Sequence, residues 1–348
     1  MSGTSLDGVD LALCEFNFKG KFRTFEIAEA TTLPYNSTLS KKLKECINYD
    51  DKELALLDIE VGEFFSEVIN SFLAGRENLP QLIASHGHTV FHRPEEGLTL
   101  QIGNGEVMAE KTGITVVNDF RSQDVLLGGQ GAPLVPVGDR DLFYAYDFCL
   151  NLGGFANISY NDSDSSERIA CDISACNMAF NHLSQKLGQP YDSNGLLARG
   201  GDIDSELLDQ LNNLNYYKLP APKSLGKEWF VDQFLPILES SELNIFDKLA
   251  TTTEHIAMQI AKFINVARQA ESKLLITGGG AYNSFLIERI RNTCDISMIL
   301  PRNEIIEYKE ALIFAYLGIL RIRNEVNVLS SVTGAREDSS SGVIHCKN

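Results

Sequence analysis

Apolar side chains recur every three or four residues along three long stretches of the chain. These stretches cover residues 53–74, 252–270 and 308–323, and a repeat of this period predicts an amphipathic helix in each. A shorter helix is predicted to begin at Ser174, whose hydroxyl can cap it, and to end at Gly188. The pattern therefore predicts helices in both halves of the chain.

Short continuous apolar runs predict buried strands between these helices. The runs lie at 82–85, 98–102, 114–120, 148–152, 156–160, 274–277 and 343–345. Asp119 lies near the carboxyl end of one of them, where open α/β sheets tend to place their ligand-binding groups. The mixture of strands and helices predicts the α/β class, arranged in two lobes.

Three glycine-rich turns, at 3–8, 153–154 and 278–280, lie next to predicted strands. Glycine lets the backbone approach an anion closely, and in the first turn hydroxyls and the Asp7 carboxylate add phosphate- and Mg²⁺-binding groups. A single turn of this kind is usually only a tight turn, whereas three favour a nucleotide site. Neither GxxxxGK[ST] nor GxGxxG occurs, which excludes a P-loop protein and the usual dinucleotide binder.

The charge of the chain argues against partners that are themselves strongly negative. Its 348 residues include 47 acidic and 30 basic side chains, a net charge of -17, so neither a nucleic-acid footprint nor binding to an anionic membrane surface is expected. No apolar run is long enough to span a membrane, and the first residues lack the pattern of a signal peptide. Seven scattered cysteines without metal-ligand spacing indicate reduced thiols in a cytoplasmic protein.

Several polar residues are candidates for chemistry, each with an ordinary structural alternative. Asp119 can act as a general base or can pair with Arg121. Glu310 begins the last long helix, where a carboxylate also complements the helix dipole. His86 and His88 can donate hydrogen bonds to sugar hydroxyls or can serve the fold alone. The residues by themselves leave these alternatives open.

Taken together and in order, nine motifs resemble those of the anhydro-N-acetylmuramic acid kinases. They are GTSLDGVD (3–10), SHGHTVFHRP (85–94), TLQIGNG (99–105), NDFRSQDVLLGGQGAPLVP (118–136), NLGGFANIS (151–159), KSLGKEWF (223–230), ITGGGAYN (276–283), EALIFAYLG (310–318) and SSVTGA (330–335). The resemblance spans nearly the whole chain, and its first and fourth motifs are highly specific.

The resemblance implies a fold of the sugar kinase, Hsp70 and actin superfamily. That fold has two ribonuclease-H-like lobes, with the active site in the cleft between them. We expect the first lobe at 1–135, completed by part of the C-terminal segment, and the second at 136–348. The Gly- and Pro-rich segment 128–136 is interpreted as the crossing between lobes. The resemblance also implies a homodimer.

The resemblance assigns roles to individual residues. Those implied to bind ATP are Gly3, Thr4, Ser5, Leu6, Asp7, Gly8, Val9 and Asp10 in a first phosphate motif, Asn151, Gly153, Gly154 and Asn157 in a second, and Gly278, Gly279, Gly280 and Asn283 in an adenosine motif. Asp7 is also the implied Mg²⁺ ligand, and Asp119 matches the catalytic base. The residues implied to meet the sugar are His88, Arg121, Asp172, Asn177 and Glu310.

The reaction of the family converts 1,6-anhydro-N-acetylmuramic acid, ATP and water into N-acetylmuramic acid 6-phosphate and ADP, in the recycling of cell-wall sugars. Its chemistry requires the anhydro bridge to open as phosphate arrives, because the bridge leaves no free 6-hydroxyl. We expect Asp119 to take a proton from the water that attacks C1 while O6 attacks the γ-phosphorus. The alternatives are a kinase for another amino sugar and a catalytically silent sensor of nucleotide or sugar.

Two features depart from the family pattern. Many members carry Asp-Thr-Gly-Pro-Gly-Asn where this chain has DISACN at 172–177. Asp172 and Asn177 are kept but the Gly-Pro centre is not, so we expect a changed sugar pocket. Family members also place an apolar strand ahead of the position of Met1. We therefore expect translation to start upstream, which the intact mass of the native protein would test.

Overall fold

The computed structural model describes residues 1–2, 8–20, 22–162, 165, 167–221, 223–269 and 271–346. The chain forms two compact units. Unit 1 comprises Met1–Leu142 and Tyr308–Asn348, and unit 2 comprises Phe143–Glu307. The sequence predicted a first lobe at 1–135, completed by part of the C-terminal segment, and the C-terminal segment that joins unit 1 is Tyr308–Asn348. The first boundary lies after Leu142 rather than at 135.

The strands and helices are numbered in chain order. In the described residues the strands are β1 (Val9–Lys19), β2 (Phe22–Leu33), β3 (Ile83–Ala84), β4 (His88–Arg93), β5 (Leu98–Ile102), β6 (Val116–Asn118), β7 (Phe148–Leu152), β8 (Phe155–Asn161), β9 (Arg168–Ala175), β10 (Lys273–Thr277), β11 (Ser297–Ile299) and β12 (Val343–His345). The α-helices are α1 (Ser37–Glu45), α2 (Asp51–Leu73), α3 (Gly105–Thr112), α4 (Ser122–Leu126), α5 (Val135–Leu142), α6 (Asn177–Gln185), α7 (Leu196–Arg199), α8 (Ser205–Asn212), α9 (Lys227–Trp229), α10 (Leu235–Ser240), α11 (Ile245–Ala267), α12 (Ser284–Thr293), α13 (Asn303–Ile322) and α14 (Ser330–Thr333).

Helix α5 belongs to unit 1 because it packs against α13. A Cβ on Gly138 would lie 2.5 Å from the Ile313 side chain, so the two helices approach closely at this glycine. The Tyr316 hydroxyl donates to Asp141 Oδ2 over 2.9 Å. The segment 128–136, interpreted from the sequence as the crossing between lobes, therefore lies inside unit 1. That interpretation was wrong because this loop folds back onto unit 1.

The described residues of unit 1 form three small sheets. Strands β1 and β2 form a long antiparallel hairpin, β4 pairs with β5, and the third sheet has the order β12-β6-β3. The C-terminal strand β12 is antiparallel to β6, so the end of the chain completes a sheet begun far upstream. Helices α2 and α3 supply much of the core, with Val61 and Met108 fully buried.

The first predicted hairpin is described only at its base. Ser2 forms an antiparallel bridge with Val9, and Asp10 N donates to Met1 O over 2.9 Å. Residues 3–7, which include the candidate Mg²⁺ ligand Asp7, lie outside the described residues. A cavity of about 490 Å³ lies between β1 and the segment 79–85.

Within the described part of unit 2, five strands form one sheet of order β11-β10-β7-β8-β9. Strand β10 is parallel to both β7 and β11, whereas β7, β8 and β9 form an antiparallel meander. Helices α6, α11 and α12 bury their apolar faces in the core of this unit. The mixed sheet with packed helices confirms the predicted α/β class.

Most of the strongly periodic segments were predicted correctly. Strands β5, β7 and β12 have the predicted bounds, and α2, α11 and α13 match the three long helices. The predicted cap at Ser174 was wrong. Ser174 lies inside β9, and α6 begins at Asn177 after Cys176, because pairing with β8 extends the strand through Ala175.

Among the described residues, none of the helices combines the length and the apolar character that crossing a membrane requires.

Candidate functional site

The turn between β7 and β8 is tied to the start of helix α6. Gly154 O accepts hydrogen bonds from Cys176 N over 2.8 Å and from Met178 N over 3.2 Å, and Gly153 O accepts from Asn177 N over 3.1 Å. These bonds hold the predicted second phosphate turn against the altered DISACN segment. The turn therefore has a fixed position in unit 2.

The third glycine turn lies directly beside the second. Gly278 has a φ of 81°, and a Cβ there would lie 2.5 Å from Asn151 Oδ1. A Cβ on Gly280 would lie 2.6 Å from Leu152 Cβ. Only glycine lets the two backbones come this close. We call the turn 151–154 and the turn 278–280 together the glycine cradle.

Asn177 joins the two sides of the glycine cradle. Its Nδ2 donates to Leu152 O over 2.9 Å, and a Cβ on Gly280 would lie 3.2 Å from its Oδ1. The structure therefore brings Asn177 together with residues expected to bind nucleotide, although the resemblance assigned it to the sugar.

Two other candidates for nucleotide binding have local structural roles. Asn283 caps α12, its Oδ1 accepting from Leu286 N over 2.9 Å, and a Cβ on Gly195 would overlap that oxygen. Asn157 pairs with Asp172 across β8 and β9. Both lie in unit 2, as the cradle does, and the contacts described for them serve the fold.

Asp172 projects from the edge strand β9 beneath a covering segment. Its Oδ2 accepts a hydrogen bond from Leu225 N over 2.8 Å, and its backbone N donates to Lys223 O over 3.0 Å. Burial raises the pKa of the Asp172 carboxyl to about 6, against the opposing effect of the Leu225 bond. Its protonation therefore changes near neutral pH.

Arg121 lies at the centre of a polar group in unit 1. Its Nη1 donates to Gly131 O over 2.6 Å, and its Nε and Nη2 lie 3.2 Å and 2.8 Å from His86 Nε2. The accepting Nε2 leaves the ring proton on Nδ1, which donates to Gly87 O over 3.0 Å. Burial and the Arg121 charge hold the pKa of His86 well below its ordinary value, so this imidazole is neutral.

Glu310, on α13, is a compensating negative charge for Arg121. Glu310 is accessible to solvent, but desolvation by the surrounding protein raises the pKa of its carboxyl. The positive charges of Arg121 and Lys309 lower that pKa and so oppose the change. Burial lowers the pKa of Arg121 to about 10, and Glu310 opposes that change. A carboxylate and a guanidinium therefore interact electrostatically within unit 1.

Asp119 occupies the end of β6 with an unusual backbone. Its φ is 51°, in the left-handed region that aspartate and asparagine tolerate best among side-chain-bearing residues. Its Oδ1 accepts from Ser122 Oγ over 2.6 Å and from Ser122 N over 3.2 Å. Pairing with Arg121 was the structural alternative for Asp119, and no hydrogen bond or ion pair joins these two described side chains.

A buried carboxylate that sequence reasoning missed holds the 128–131 loop. Asp124 is fully buried, its Oδ2 accepting from Gly131 N over 2.7 Å and its Oδ1 from Thr333 Oγ1 over 2.7 Å. Gln130 N donates to Thr333 O over 2.8 Å. Asp124 lies in the motif 118–136 and Thr333 in the motif 330–335, and this was the only sequence feature that pointed to a role for either residue.

His88 supports the base of the first hairpin. It is buried in β4, and a hydrogen bond of 2.9 Å joins its Nδ1 to Ser2 Oγ, which also accepts from Tyr35 OH over 2.5 Å. Asp10 Oδ1 accepts from Thr32 Oγ1 over 2.7 Å. Gly3, Thr4, Ser5, Leu6 and Asp7 lie outside the described residues, while Gly8 packs tightly on Leu33 O.

Among the described residues, no group of three His, Cys, Asp or Glu side chains is arranged to hold a metal ion. Mg²⁺ is commonly held by one or two carboxylates together with substrate phosphates and water. Asp10 is a described carboxylate at the base of the hairpin, and it suits that mode of binding.

Comparison with known proteins identifies relatives over the whole chain. A family model described as anhydro-N-acetylmuramic acid kinase matches residues 1–347. The protein of that name from Vibrio cholerae is 37% identical over 99% of this chain and 96% of its own length. Those from Aliivibrio fischeri and Haemophilus influenzae are 36% and 34% identical, each over 100% of this chain and 98% or 97% of their own lengths.

A solved structure of an activator of 2-hydroxyisocaproyl-CoA dehydratase from Clostridium difficile with bound ADPNP aligns with 62% of this chain and 82% of its own. Its TM-score is 0.33 at 14% identity, a likeness too weak to carry an argument.

Proposed function

The chain belongs to the anhydro-N-acetylmuramic acid kinase family, and from that membership we propose that it phosphorylates 1,6-anhydro-N-acetylmuramic acid with ATP and opens its anhydro bridge with water. The products are N-acetylmuramic acid 6-phosphate and ADP. The reaction serves the recycling of peptidoglycan sugars. Membership in this family also confirms the actin-like ATPase fold class expected from the sequence.

The observation that carries the nucleotide part of the proposal is the glycine cradle. Side chains at Gly278 or Gly280 would collide with Asn151 or Leu152, so glycine lets the two turns pack together, and Gly154 and Gly279 leave backbone exposed at the surface of the cradle. Backbone N–H groups that a ligand can approach closely are good hydrogen-bond donors to an anionic phosphate. We assign Asn151, Gly153 and Gly154 to phosphate and the 278–280 turn to the adenosine side of ATP.

Mg²⁺, when bound with ATP, neutralises charge on the phosphates during transfer. We propose Asp7, outside the described residues, as its ligand, with Asp10 supporting the same hairpin. The remaining residues of the first motif, from Gly3 to Val9, are proposed to donate to phosphate oxygens.

We propose Asp119 as the base that activates water. Its carboxylate takes a proton as the water oxygen bonds to C1, the C1–O6 bond breaks, and O6 forms a bond to the γ-phosphorus as ADP leaves. Arg121 and Glu310 are proposed to bind the sugar, with Asp172 and Asn177 as further sugar contacts. His88, buried against Ser2, would act on the sugar only through the position of the hairpin.

Asp172 is a second candidate for the base. A general base works best when its pKa lies near the working pH, and burial raises the pKa of Asp172 to about 6. The sequence pointed to Asp119 as the base and to Asp172 as a sugar contact, and only the structure suggests Asp172 as a base. Substituting each carboxylate separately distinguishes them.

One reaction tests the proposed function against its alternatives. The protein is incubated with Mg·ATP and the anhydro sugar in ¹⁸O-labelled water, and the product is weighed. A phosphorylated product that carries one ¹⁸O supports the proposal. Phosphorylation of non-anhydro amino sugars alone would identify a different sugar kinase, and absence of any product would indicate a sensor.

The assembly and the compartment are further parts of the proposal. We propose a homodimer in the cytoplasm, on the basis of the resemblance to the family. Light scattering coupled to size-exclusion chromatography measures the mass in solution, and a value near the 38.5 kDa of one chain would contradict the dimer. Cell fractionation with detection of the native protein tests the compartment.

A further inference from the structure

A chain of buried hydrogen bonds runs behind the DISACN segment in unit 2. Ser174 Oγ lies 2.9 Å from Tyr217 OH, which lies 2.9 Å from His255 Nε2, and His255 Nδ1 lies 2.8 Å from Asn212 Oδ1. Ser174 and His255 are fully buried, and Tyr217 is nearly so. We call this chain the serine–histidine relay. None of the nine motifs includes Tyr217, His255 or Asn212.

The donor and the acceptor of each hydrogen bond in the relay can be assigned by starting from Asn212. Asn212 Oδ1 also accepts from Gln259 Nε2 over 2.7 Å, so it serves as acceptor for His255 Nδ1–H. His255 Nε2 then accepts from the Tyr217 hydroxyl, whose oxygen accepts from Ser174. Burial lowers the pKa of His255 to about 3, so the ring stays neutral and this arrangement persists across the working pH range.

The relay reaches Asp172 through the residue next to Tyr217. Tyr216 lies in the same 3₁₀ turn, Asn215–Lys218, and its hydroxyl donates to Asp172 O over 2.7 Å. Lys223 Nζ donates to Tyr216 O over 3.0 Å. The turn that the relay anchors therefore also fixes the strand and the covering segment that contact the Asp172 carboxylate.

The other end of the relay is anchored on a long helix. His255 lies in the 23-residue helix α11. Trp229 packs on the turn, its ring centroid 5.3 Å from that of Tyr216 and 6.2 Å from that of Tyr217. Between Asp172 and Ser174, strand β9 has one extra residue relative to β8. A bulge of this kind redirects neighbouring side chains. Ser174 lies one residue beyond the bulge, and its hydroxyl meets the buried hydroxyl of Tyr217 there.

We propose that Ser174, Tyr217 and His255 are positioning residues that hold Asp172, and the start of α6 at Asn177, in this chain. The family pattern that this chain resembles has Gly-Pro at the centre of this segment in many members, where the present chain has Ser174 and Ala175. In this chain the hydrogen bond from Ser174 to Tyr217 would take over the role of the Gly-Pro turn. The catalytic consequence rests on the proposed function, whereas the placement of Asp172 does not.

Carbon-13 NMR titration of the Asp172 carboxyl tests the placement directly. Aspartate-labelled protein is compared with Tyr217→Phe and Ser174→Ala, and Asp172→Asn assigns the resonance. Titratable groups near Asp172 among the described residues are Cys171, Tyr216 and Lys223. All three remain in the test variants, so a change in the titration reports the relay.

We expect both substitutions to move the Asp172 pKa by about 0.5 or more, because loss of the tether changes its burial and its bond to Leu225. Tyr160→Phe, a tyrosine substitution in β8 of the same unit, is the control and should leave it in place. An unchanged Asp172 titration in folded Tyr217→Phe and Ser174→Ala would overturn the proposal. If Tyr217→Phe does not fold, Ser174→Ala alone decides.

Activity adds a second readout. We expect Tyr217→Phe to lower kcat about tenfold or more and to move the acidic limb of the pH profile, as expected when a carboxylate that must be ionised for turnover is displaced, with KM for ATP within about twofold of the wild type. If the wild type forms no product, the proposed function fails while the NMR titration still decides the placement. Unchanged kcat and pH profile together with an unchanged titration would show a purely structural network.

Discussion

Asp119 has a left-handed backbone and a carboxylate that accepts two hydrogen bonds from Ser122. Asparagine tolerates this backbone nearly as well as aspartate, and its side-chain oxygen can accept the same bonds. Asp119→Asn should therefore remove the charge without unfolding the turn. We predict that kcat falls at least ~10²-fold, the contribution of a positioned base, with an unchanged circular dichroism spectrum.

Asp172→Asn is the matched comparison for that measurement. If Asp172 is the base, its variant carries the large loss and Asp119→Asn retains activity within a few fold. A fully active Asp119→Asn enzyme would refute the assignment of Asp119.

The raised pKa of Asp172 also predicts a pH-dependent stability. Its pKa is about 6 in the folded chain against an ordinary value of 3.8, so the stability it contributes is complete below about pH 4 and is lost as the pH rises through about 6. Asp172→Asn should raise the free energy of unfolding more at about pH 8 than at about pH 4, by about 1–3 kcal/mol. Urea unfolding at the two pH values measures this difference, and an equal effect at both would contradict it.

At the scale of elements, the close approach of two turns in unit 2 depends on glycine. Gly278→Ala would strain a φ of 81° and place a methyl group 2.5 Å from Asn151 Oδ1. We predict at least a tenfold loss of ATP affinity, because the two turns must separate. Isothermal titration with a non-hydrolysable ATP analogue measures it.

Gly188→Ala is the control for that substitution. Gly188 has a similar φ of 73° in the same unit, but a Cβ there meets nothing within 4 Å. It shares the positive φ without the collision, so its ATP affinity should stay near that of the wild type. Equal losses in both variants would attribute the effect to strain alone.

The link between α4 and α14 predicts the behaviour of the 128–131 loop. Thr333→Val removes the hydroxyl that donates to buried Asp124 Oδ1 and leaves a buried carboxylate oxygen without that donor, at a cost of about 1–3 kcal/mol. Hydrogen exchange should speed up in peptides covering residues 128–136. Thr24→Val, at an exposed position of β2, is the control and should leave that exchange unchanged.

At the scale of the whole molecule, nucleotide binding should protect two distant segments together. The turns 151–154 and 278–280 are far apart in the sequence but lie side by side. We predict that a non-hydrolysable ATP analogue slows hydrogen exchange in both segments of unit 2. Protection of one segment without the other would contradict the shared cradle.

The parts of the fold that the sequence did not predict depend on pairing across long separations. Strand β2 has charged residues on its exposed side, so its local pattern does not predict a strand, and its register with β1 establishes it. Ser174 has the properties of a helix cap, and only its partner strand β8 keeps it in β9. Asp124 and Thr333 lie 209 residues apart, and Arg121 meets His86 only in the folded chain. Such contacts leave no local pattern.

Periodicity and ordered motifs are local properties of the chain, and they were enough to predict the α/β class, the long amphipathic helices, the glycine turns and the family. The folded structure was needed to show that the two glycine turns of unit 2 form one cradle, that the C-terminal strand β12 completes a sheet of unit 1, and that Ser174 joins Tyr217 and His255. These outcomes depend on which buried surfaces and hydrogen-bonding groups meet after folding. That choice is made by packing and by satisfying buried polar atoms across the whole unit.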